Sequence, residues 1–306
     1  MSPFVVVVIA TYRRAPDLAR MLESLNATST PLAVLVVDNA NDPATEAVVE
    51  AASNKWEILR LVPGENLGCG GGLAYGERMA LERYADRLTH VWMTDDDVVV
   101  TPGALEHLLK AMNEEGADLA CPLITSPEGT LAWFPGLLES APFDAIRKGK
   151  VQTPQEYLAQ FGPRPVRFSW ATGVSLLVTR EAIEELGPHR TDFLIRGEDL
   201  EFSLRFTAHK IGICVPEAQV THWAHLTPPT ADLIAMERNK QIAMLHNIAY
   251  ISVHLPHGRP IMQSLPGNFM RHVQNWGLSG FSEGLRAYWR GGVCGFPAGR
   301  NVTLPT

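Results

Sequence analysis

The sequence predicts an α/β protein built on a mostly parallel, doubly wound central sheet with helices on both of its faces. Two observations lead to this prediction. Short apolar, β-rich segments alternate with helix-like segments from Phe4 to Glu114, which is the pattern of consecutive βα units. In addition, 46% of the 306 residues are apolar and only 19% are charged, so the chain is able to bury a large core.

Four βα units are predicted in the first part of the chain. The strands are expected at 4–10, 32–37, 56–62 and 90–94. The helices that follow them are expected, in the same order, at 16–26, 43–53, 73–84 and 103–114. Ligands of such sheets bind beyond the carboxyl ends of the strands. The polar residues that follow each strand are therefore the candidates for a site, namely 11–14, 38–39, 65–66 and 95–97.

The pattern changes after residue 117. Further strands are expected at 118–124, within 168–179 and at 211–215, and further helices at 181–186, 198–209 and 232–251. Residues 135–165 are rich in proline and glycine and are expected to form an irregular insertion that shapes an acceptor pocket. We expect a catalytic domain over 1–227 and a helical C-terminal extension over 228–306 that packs on it, with an amphipathic stretch at 284–290. Roughly the last 12 residues are expected to fray.

Charge argues against a nucleic-acid partner. The chain has 26 Lys and Arg against 33 Asp and Glu, a formal net charge of -7. The extension is nevertheless basic, because residues 228–306 contain more Lys and Arg than Asp and Glu, and aromatic residues such as Trp276, Phe281 and Trp289 lie among them. Such a surface is able to touch anionic lipid head groups, and the alternative is a helix that packs on the catalytic domain.

Cysteine usage and the N-terminus favour the cytoplasm. The four cysteines, Cys69, Cys121, Cys214 and Cys294, are far apart and form no close pair, so neither a disulfide framework nor a zinc knuckle is expected. The first basic residues follow the first apolar run, which is the reverse of a signal peptide, and no transmembrane segment is expected. We expect a cytoplasmic protein that is peripheral at the inner face of the cell membrane if the extension binds lipid.

Three adjacent carboxylates, Asp95, Asp96 and Asp97, are the strongest local signal, and they directly follow an apolar strand. They repel one another, and a divalent cation relieves that repulsion. A solvated acidic turn or a helix start before Pro102 is the alternative. His222 is able to complete a metal shell as a neutral imidazole, although a histidine next to an aromatic residue is often structural.

Two other segments have candidate chemistry. Glycines between residues 68 and 72 allow backbone N–H groups to approach phosphate or sugar oxygens, although the run matches neither a dinucleotide fingerprint nor a P-loop, and a flexible connection is the alternative. Glu198, Asp199 and Glu201 lie in the first turn of a predicted helix. The helix dipole holds a carboxylate there ionised, as a general base requires, and ordinary N-terminal capping is the alternative.

Taken in order, these segments resemble the inverting family 2 glycosyltransferases with a GT-A fold. The resemblance spans roughly residues 3–250 and is greatest for the galactofuranosyltransferase and rhamnosyltransferase branch. It rests on 7–13, 36–39, 66–68 with the glycines that follow, 95–97, 170–173, 197–202 and His222. The branch often has a Trp and an Asp before its base, whereas Gly197 and Glu198 precede Asp199 here, a departure that bears on the donor or the acceptor.

The resemblance implies a role for each matched residue. Contacts with the nucleotide or the donor sugar are implied for Thr11, Arg13, Asp38, Asn66, Gly68, Gly70, Gly71, Asp96 and Arg238. Among these, the Asp38 carboxylate would accept a hydrogen bond from a pyrimidine N–H. Mn²⁺ or Mg²⁺ on the diphosphate would be held by Asp95, Asp97 and His222. Asp199 would be the general base, and Trp170 and Glu198 would form a platform for a sugar or the acceptor.

The expected function is metal-dependent, inverting transfer of a galactofuranose- or rhamnose-type sugar. The donor would be a UDP-sugar or a dTDP-sugar, and the acceptor a hydroxyl of a glycan, a glycolipid or a small molecule. A haloacid-dehalogenase-like phosphatase is an alternative, because residues 95–99 fit D-x-D-x-V, although no later Lys with a Gly-Asp pair is evident. A nucleotidyltransferase of similar fold and a non-catalytic sugar-nucleotide-binding protein are two further hypotheses.

Overall fold

A computed structural model describes residues 2–52, 55–193, 195–223, 231–255, 258 and 263–295. The first half of the chain alternates strands with helices. Its elements are β1 (Val5–Thr11), α1 (Ala15–Ser24), β2 (Leu32–Asp38), α2 (Pro43–Ala51), β3 (Glu57–Leu61), α3 (Gly68–Arg83), β4 (His90–Asp95), β5 (Val98–Val100) and α4 (Ala104–Glu115).

The second half is less regular. Its elements are β6 (Leu119–Thr125), α5 (Ser140–Arg147), α6 (Pro154–Phe161), β7 (Val166–Arg167), β8 (Ser175–Thr179), α7 (Arg180–Leu186), α8 (Glu198–Thr207), β9 (Gly212–His222), α9 (Ala231–His254) and α10 (Leu265–Tyr288). A π-helical turn over Trp289–Val293 continues α10.

The described strands form one curled, mixed sheet in the order β3-β2-β1-β4-β8-β6-β9-β5, with β7 paired to β9. The predicted parallel units are confirmed, since β3, β2, β1 and β4 are all parallel neighbours. Beyond β4 the sheet is mixed, because β8 runs antiparallel to both β4 and β6, while β6 and β9 are parallel. The α/β prediction is therefore confirmed, with a parallel half and a mixed half.

The apolar core explains why the central strands form. Residues 5–9 of β1 are fully buried, and a run of β-branched residues that is buried on both faces is typical of a strand inside a parallel sheet. Val5, Val7 and Ile9 pack on one face together with residues of α1 and α4. Val6 and Val8 pack on the other face together with residues of α3. The sheet edge that follows these strands is thereby held at a defined place.

Two segment predictions are wrong in detail, and one strand was missed. The insertion over 135–165 is not irregular, because it contains α5 and α6. Helix α6 begins with a capping box between Thr153 and Glu156, followed by Pro154 at its first position. Strand β9 does not end near residue 215 but runs to His222, past a register irregularity between Pro122 and Leu123 of its neighbour. The short strand β5 was not predicted.

The C-terminal extension packs on the rest of the chain through α9. Ile251 of α9 is buried against Phe193 and Leu204, and the side-chain amide of Asn247 donates to the backbone oxygen of Arg196 at 2.8 Å. The predicted boundary at 227 and 228 and the predicted frayed end lie outside the described residues, apart from residue 295. Among the described helices, none is long and apolar enough to cross a membrane.

The cysteine expectation needs one correction. Cys121 and Cys214 are register partners on β6 and β9, so two of the four cysteines do lie close together. All four are free thiols, and these two are buried.

Candidate active site

Three potential metal ligands meet where β4, β5 and β9 come together. Asp95 ends β4, Asp97 precedes β5, and the antiparallel pairing of β5 with β9 places His222 opposite Val98. Nε2 of His222 lies 2.9 Å from Oδ1 of Asp97 and 3.7 Å from Oδ2 of Asp95. The ligand atoms of the three side chains lie within 4.8 Å of one another. The predicted cluster is therefore assembled by the fold.

The cluster fits a divalent cation. Oδ1 of Asp97 and Nδ1 of His222 are buried and have no hydrogen-bond partner among the residues that the structure describes. The short contact between Asp97 and His222 is thus an ion-pair distance without hydrogen-bond geometry. Burial, and then the charge of Asp97, raise the pKa of Asp95. Two carboxylates and an imidazole are ligands that Mn²⁺ accepts, and a cation would supply the missing partner.

Arg14 binds Asp96 and Asp97; it lies within the candidate segment 11–14, but no role was predicted for it. Its guanidinium donates to Oδ1 of Asp96 at 2.9 Å and to Oδ2 of Asp97 at 2.6 Å. The hydroxyl of Thr11 donates to Oδ2 of Asp96 at 2.6 Å. Although burial raises it, contacts with His222 and Arg14 lower the pKa of Asp97 to about 2. His222 and Arg14 therefore keep Asp97 ionised, and Arg14 also holds Asp96 in place.

The predicted contacts of Thr11, Asp96 and Arg13 take a different form in the structure. Thr11 and Asp96 bind each other, so both oxygens of Asp96 already accept protein donors. The guanidinium of Arg13 lies 5.2 Å from the ring centroid of Tyr12. Roles for these residues in donor binding stay predictions.

Asp38 lies at the end of β2 and is completely buried. Its Oδ1 accepts from the backbone N–H of Ala40 at 3.0 Å. Its Oδ2 accepts from the backbone N–H of Asp42 at 2.8 Å and from Arg60 at 2.9 Å. Arg60, on β3, was not predicted. The proposed pyrimidine contact of Asp38 stays a prediction.

The glycine-rich run is helical rather than a flexible connection. Helix α3 begins at Gly68, earlier than predicted. The side-chain amide of Asn39 binds the start of α3 through two hydrogen bonds. Its Oδ1 accepts from the N–H of Leu67, and its Nδ2 donates to the backbone oxygen of Gly68. Oδ1 of Asn66 accepts from the N–H of Gly68 at 3.0 Å. The first turn of α3 is therefore held in a fixed position beside the strand ends, where an anion would find its N–H groups.

Gly70 is required for packing. A Cβ built at this position would overlap the carbonyl oxygen of Phe193 and lie 3.1 Å from Cβ of Glu198. We expect Gly70→Ala to lower the free energy of unfolding by about 1–3 kcal/mol, measured by urea denaturation, because backbone has to shift. Gly267→Ala is the matched control in the first turn of α10, where a Cβ meets nothing within 4 Å, and it should keep or raise stability. Equal losses in both variants would contradict this account.

The start of α8 presents Asp199. Its Oδ1 accepts from the N–H of Leu200 at 2.8 Å, and its Oδ2 accepts from the N–H of Gly173 at 3.1 Å. A Cβ on Gly173 would lie 3.2 Å from Cβ of Asp199, so the matched segment 170–173 lies directly against the candidate base. Trp170 is partly buried and packs beside Phe193. Despite the N–H donors, burial raises the pKa of Asp199. The position of Asp199 at a helix start had predicted a lowered pKa, because the helix dipole favours the ionised carboxylate.

The comparisons with known proteins can be set against this geometry. The model of the family described as "Glycosyl transferase family 2" matches residues 6–175, more than half of the chain. The chain belongs to glycosyltransferase family 2. The match contains the residues 95–97 and ends before Asp199 and His222. The placement of these last two in the glycosyltransferase therefore rests on the structure.

Solved structures show the fold of this family 2 glycosyltransferase. One match is the mannosyltransferase PcManGT from Pyrobaculum calidifontis, solved with GDP-Man and Mn²⁺. The match covers 94% of this chain and 74% of that chain, with 18% sequence identity and a TM-score of 0.55. The match to S. aureus TarS 1-349 covers 95% of this chain and 81% of that chain, with 13% sequence identity and a TM-score of 0.60. The match to GalNAc-T7, solved with UDP, GalNAc and Mn²⁺, covers 94% of this chain and 54% of that chain, with 15% sequence identity and a TM-score of 0.59. The fold is thus GT-A, as expected. No curated protein sequence matches the chain.

The family assignment sets the phosphatase alternative aside. In the glycosyltransferase, Asp95 ends a strand that lies between β1 and β8 in the middle of the sheet, and the whole segment up to residue 175 matches family 2. The D-x-D-x-V pattern is therefore part of a family 2 acidic motif rather than a nucleophile motif. The nucleotidyltransferase alternative is set aside for the same reason.

Glu198 is a neutral neighbour for the candidate base of the glycosyltransferase. It is half-buried, and its Oε2 has no hydrogen-bond partner among the described residues. Burial, and then the charge of Asp199, raise the pKa of Glu198 to about 8. Burial and the charge of Glu198 likewise raise the pKa of the Cys69 thiol. At neutral pH, Asp199 is therefore flanked by a protonated carboxyl group and a protonated thiol.

The raised pKa of Glu198 predicts a pH-dependent stability. Between 4.5 and about 8, folded Glu198 holds a proton that the unfolded chain releases, so its contribution to stability falls as pH rises. We expect the free energy of unfolding of Glu198→Gln to decrease less with rising pH than that of the unmodified chain. In urea denaturation, the variant should therefore be stabilised relative to the unmodified chain more at about pH 8 than at about pH 5. Glu181→Gln, at the exposed start of α7, is the control. An unchanged slope in Glu198→Gln would refute the assignment.

Two further features of the glycosyltransferase bear on the site. Arg238 of α9 donates to Glu283 of α10 at 2.8 Å and lies over the ring of Trp276. Its proposed diphosphate contact stays a prediction and would require this pair to open. Glu77 of α3 accepts from both the backbone N–H and Nδ1 of His189 at 2.8 Å. This buried pair was missed, since nothing in the sequence links residues so far apart.

Proposed function

We propose that the protein is a metal-dependent, inverting glycosyltransferase that moves a sugar from a nucleoside diphosphate to a hydroxyl group. The observation that supports this most is the closeness of two sites. The N–H of Gly173 donates to Oδ2 of Asp199 at 3.1 Å, and the N–H of Asp95 donates to the backbone oxygen of the next residue, Val174, at 3.1 Å. The candidate base and the metal-type cluster therefore lie against two adjacent residues of the chain, so an acceptor hydroxyl at one and a leaving diphosphate at the other are able to meet.

The residues divide the work of one displacement. Asp199 accepts the proton of the acceptor hydroxyl while that oxygen attacks the anomeric carbon, and its raised pKa makes it a stronger base than a solvent-exposed aspartate. Asp95, Asp97 and His222 would hold a divalent cation, which would supply charge neutralisation at the leaving diphosphate. Arg14 fixes Asp97 for that role. A single base and a single displacement invert the anomeric configuration, and no acid is required at the leaving group.

The proposed donor is a UDP-sugar, with a dTDP-sugar as the alternative, and the proposed sugar is of the galactofuranose or rhamnose type. The motif resemblance supports this choice. Neighbours in fold were solved with GDP-Man, with UDP-GlcNAc, and with UDP and GalNAc, which favours a nucleoside diphosphate donor in general. The proposed acceptor is a glycan, a glycolipid or a small molecule. We place the reaction in the cytoplasm, in keeping with four free thiols.

Calorimetric titration of the purified chain with UDP-sugars and dTDP-sugars, each with Mn²⁺ and with EDTA, tests the donor class. We expect one sugar nucleotide to bind tightly only with Mn²⁺, and proton NMR of the product to show an inverted anomeric centre. Retention of configuration would refute the assignment of Asp199. Tight, metal-dependent binding without transfer or hydrolysis would instead support the non-catalytic sugar-nucleotide-binding protein.

A further inference from the structure

The second half of α10 and the π-helical turn after it carry bulky apolar side chains on the solvent side. Leu278 is 91% exposed. Five more apolar side chains follow it along the same segment and are 43–60% exposed, namely Phe281, Leu285, Tyr288, Trp289 and Val293. These residues, which we call the outer stripe, recur every three or four positions and so share one helical face.

Small residues explain why the bulky side chains point outward. The buried face of the same segment consists of five small residues, Gly280, Gly284, Ala287, Gly291 and Gly292. A Cβ on Gly291 would overlap the backbone oxygen of His246 on α9, so this face must be small for the helices to approach each other. A helix of a water-soluble protein normally has the reverse arrangement, with its bulky apolar residues inside. The outer stripe therefore has the composition of a face that contacts something apolar.

Exposed charge around the outer stripe is positive. Residues 278–293 contain three charged residues, Glu283, Arg286 and Arg290. Glu283 is only partly exposed, and it is already paired with Arg238 at 2.8 Å and with His272 at 3.2 Å. Arg286 and Arg290 are both exposed. Two arginines that flank apolar and aromatic side chains complement an anionic interface.

An apolar cavity opens beside the outer stripe, between α9 and α10. Its volume is about 270 Å³. It is lined by Leu245, Leu265, Phe269, Leu285 and Tyr288. Two of these residues, Leu285 and Tyr288, also belong to the outer stripe, so the cavity and the stripe form one apolar surface. The cavity is large enough for the end of a hydrocarbon chain and offers almost no polar group to any other ligand.

We propose that the outer stripe binds the surface of an anionic phospholipid membrane. The apolar side chains enter the boundary between head groups and acyl chains, Arg286 and Arg290 contact lipid phosphates, and the cavity takes the end of an acyl chain. A second copy of the chain is a poorer occupant, since a two-fold contact would bring four arginines together, and Glu283, the one acid of residues 278–293, is already paired. The proposal does not depend on the sugar or on the catalytic residues.

Vesicle co-sedimentation of the full chain tests this proposal. We expect binding to vesicles of phosphatidylcholine mixed with phosphatidylglycerol, weaker binding at high salt, and little binding to phosphatidylcholine alone. The double variant Leu278→Ser, Trp289→Ser should bind about tenfold more weakly or worse. Leu138→Ser is the matched control, because this leucine is 63% exposed on the insertion, and it should bind as the unmodified chain does.

The charge component is tested separately. Arg286→Gln with Arg290→Gln should remove the preference for phosphatidylglycerol, whereas Arg147→Gln, an exposed arginine of α5, should leave it unchanged. Absence of binding by the full chain, or undiminished binding by the leucine and tryptophan double variant, overturns the proposal. A molar mass in light scattering that falls to the monomer value only in that double variant would identify a second copy as the occupant and overturn it as well.

Discussion

Replacement of Asp199 by Asn is expected to lower the turnover of sugar transfer by about a thousandfold and to leave nucleotide binding unchanged. Asn has nearly the same shape and keeps one of the two backbone hydrogen bonds, because its single side-chain oxygen accepts from the N–H of either Leu200 or Gly173. It takes no proton from an acceptor. Turnover is measured with the sugar nucleotide found by titration, and binding is measured by calorimetry with UDP and Mn²⁺.

The pH profile separates a base from a structural carboxylate. Because burial raises the pKa of Asp199, transfer should increase with pH as this group loses its proton, and Asp199→Asn should lack that limb. Glu181→Gln changes an acid in the first turn of another helix, α7, and should keep both rate and profile. Transfer by Asp199→Asn at the unmodified rate would show that another group is the base.

Asp97→Ala is expected to weaken Mn²⁺-dependent nucleotide binding by about 100-fold, since a metal bound to the diphosphate contributes several kcal/mol. The change removes the carboxylate that faces His222 at 2.9 Å and Arg14 at 2.6 Å. Calorimetry with UDP in Mn²⁺ and again in EDTA measures the effect. In EDTA, the variant and the unmodified chain should bind equally weakly.

The control for this experiment is Asp86→Ala, which removes an exposed carboxylate after α3. It should leave the Mn²⁺ dependence intact. Thermal unfolding of both variants without nucleotide checks that the fold survives. A full Mn²⁺ dependence in folded Asp97→Ala would show that Asp97 is not a ligand and that the cluster with Asp95 and His222 does not hold the metal.

The parallel half of the fold could be predicted from the sequence because its signals are local. The β-branched run of β1 is buried on both faces, and such a run has few alternatives to a central strand. The carboxylates of Asp95 and Asp97 were predicted because they are adjacent in the chain and follow a strand. Helix α6 was missed although its capping box is also local, since the prolines and glycines around it favour an irregular segment.

The rest of the site depends on contacts between distant segments. Arg13 and Arg14 are adjacent and chemically identical, so the sequence does not distinguish them. In the structure the backbone of Arg13 is left-handed, with a φ of 55°, and it is Arg14 that donates to Asp96 and Asp97. His222 reaches the cluster because β9 continues past its irregularity and pairs with β5. Neither fact has a signal in a single segment.

By itself, the sequence determined the α/β class, the order of the βα units, the acidic triplet and the candidate base, because each follows from residues that are neighbours in the chain. Only the tertiary structure decided which arginine binds the triplet, that burial makes Asp199 more basic, and that Glu198 is protonated beside it. It also decided that the apolar residues of α10 face outward. These are properties of packing, and packing depends on groups that the chain brings together from far apart.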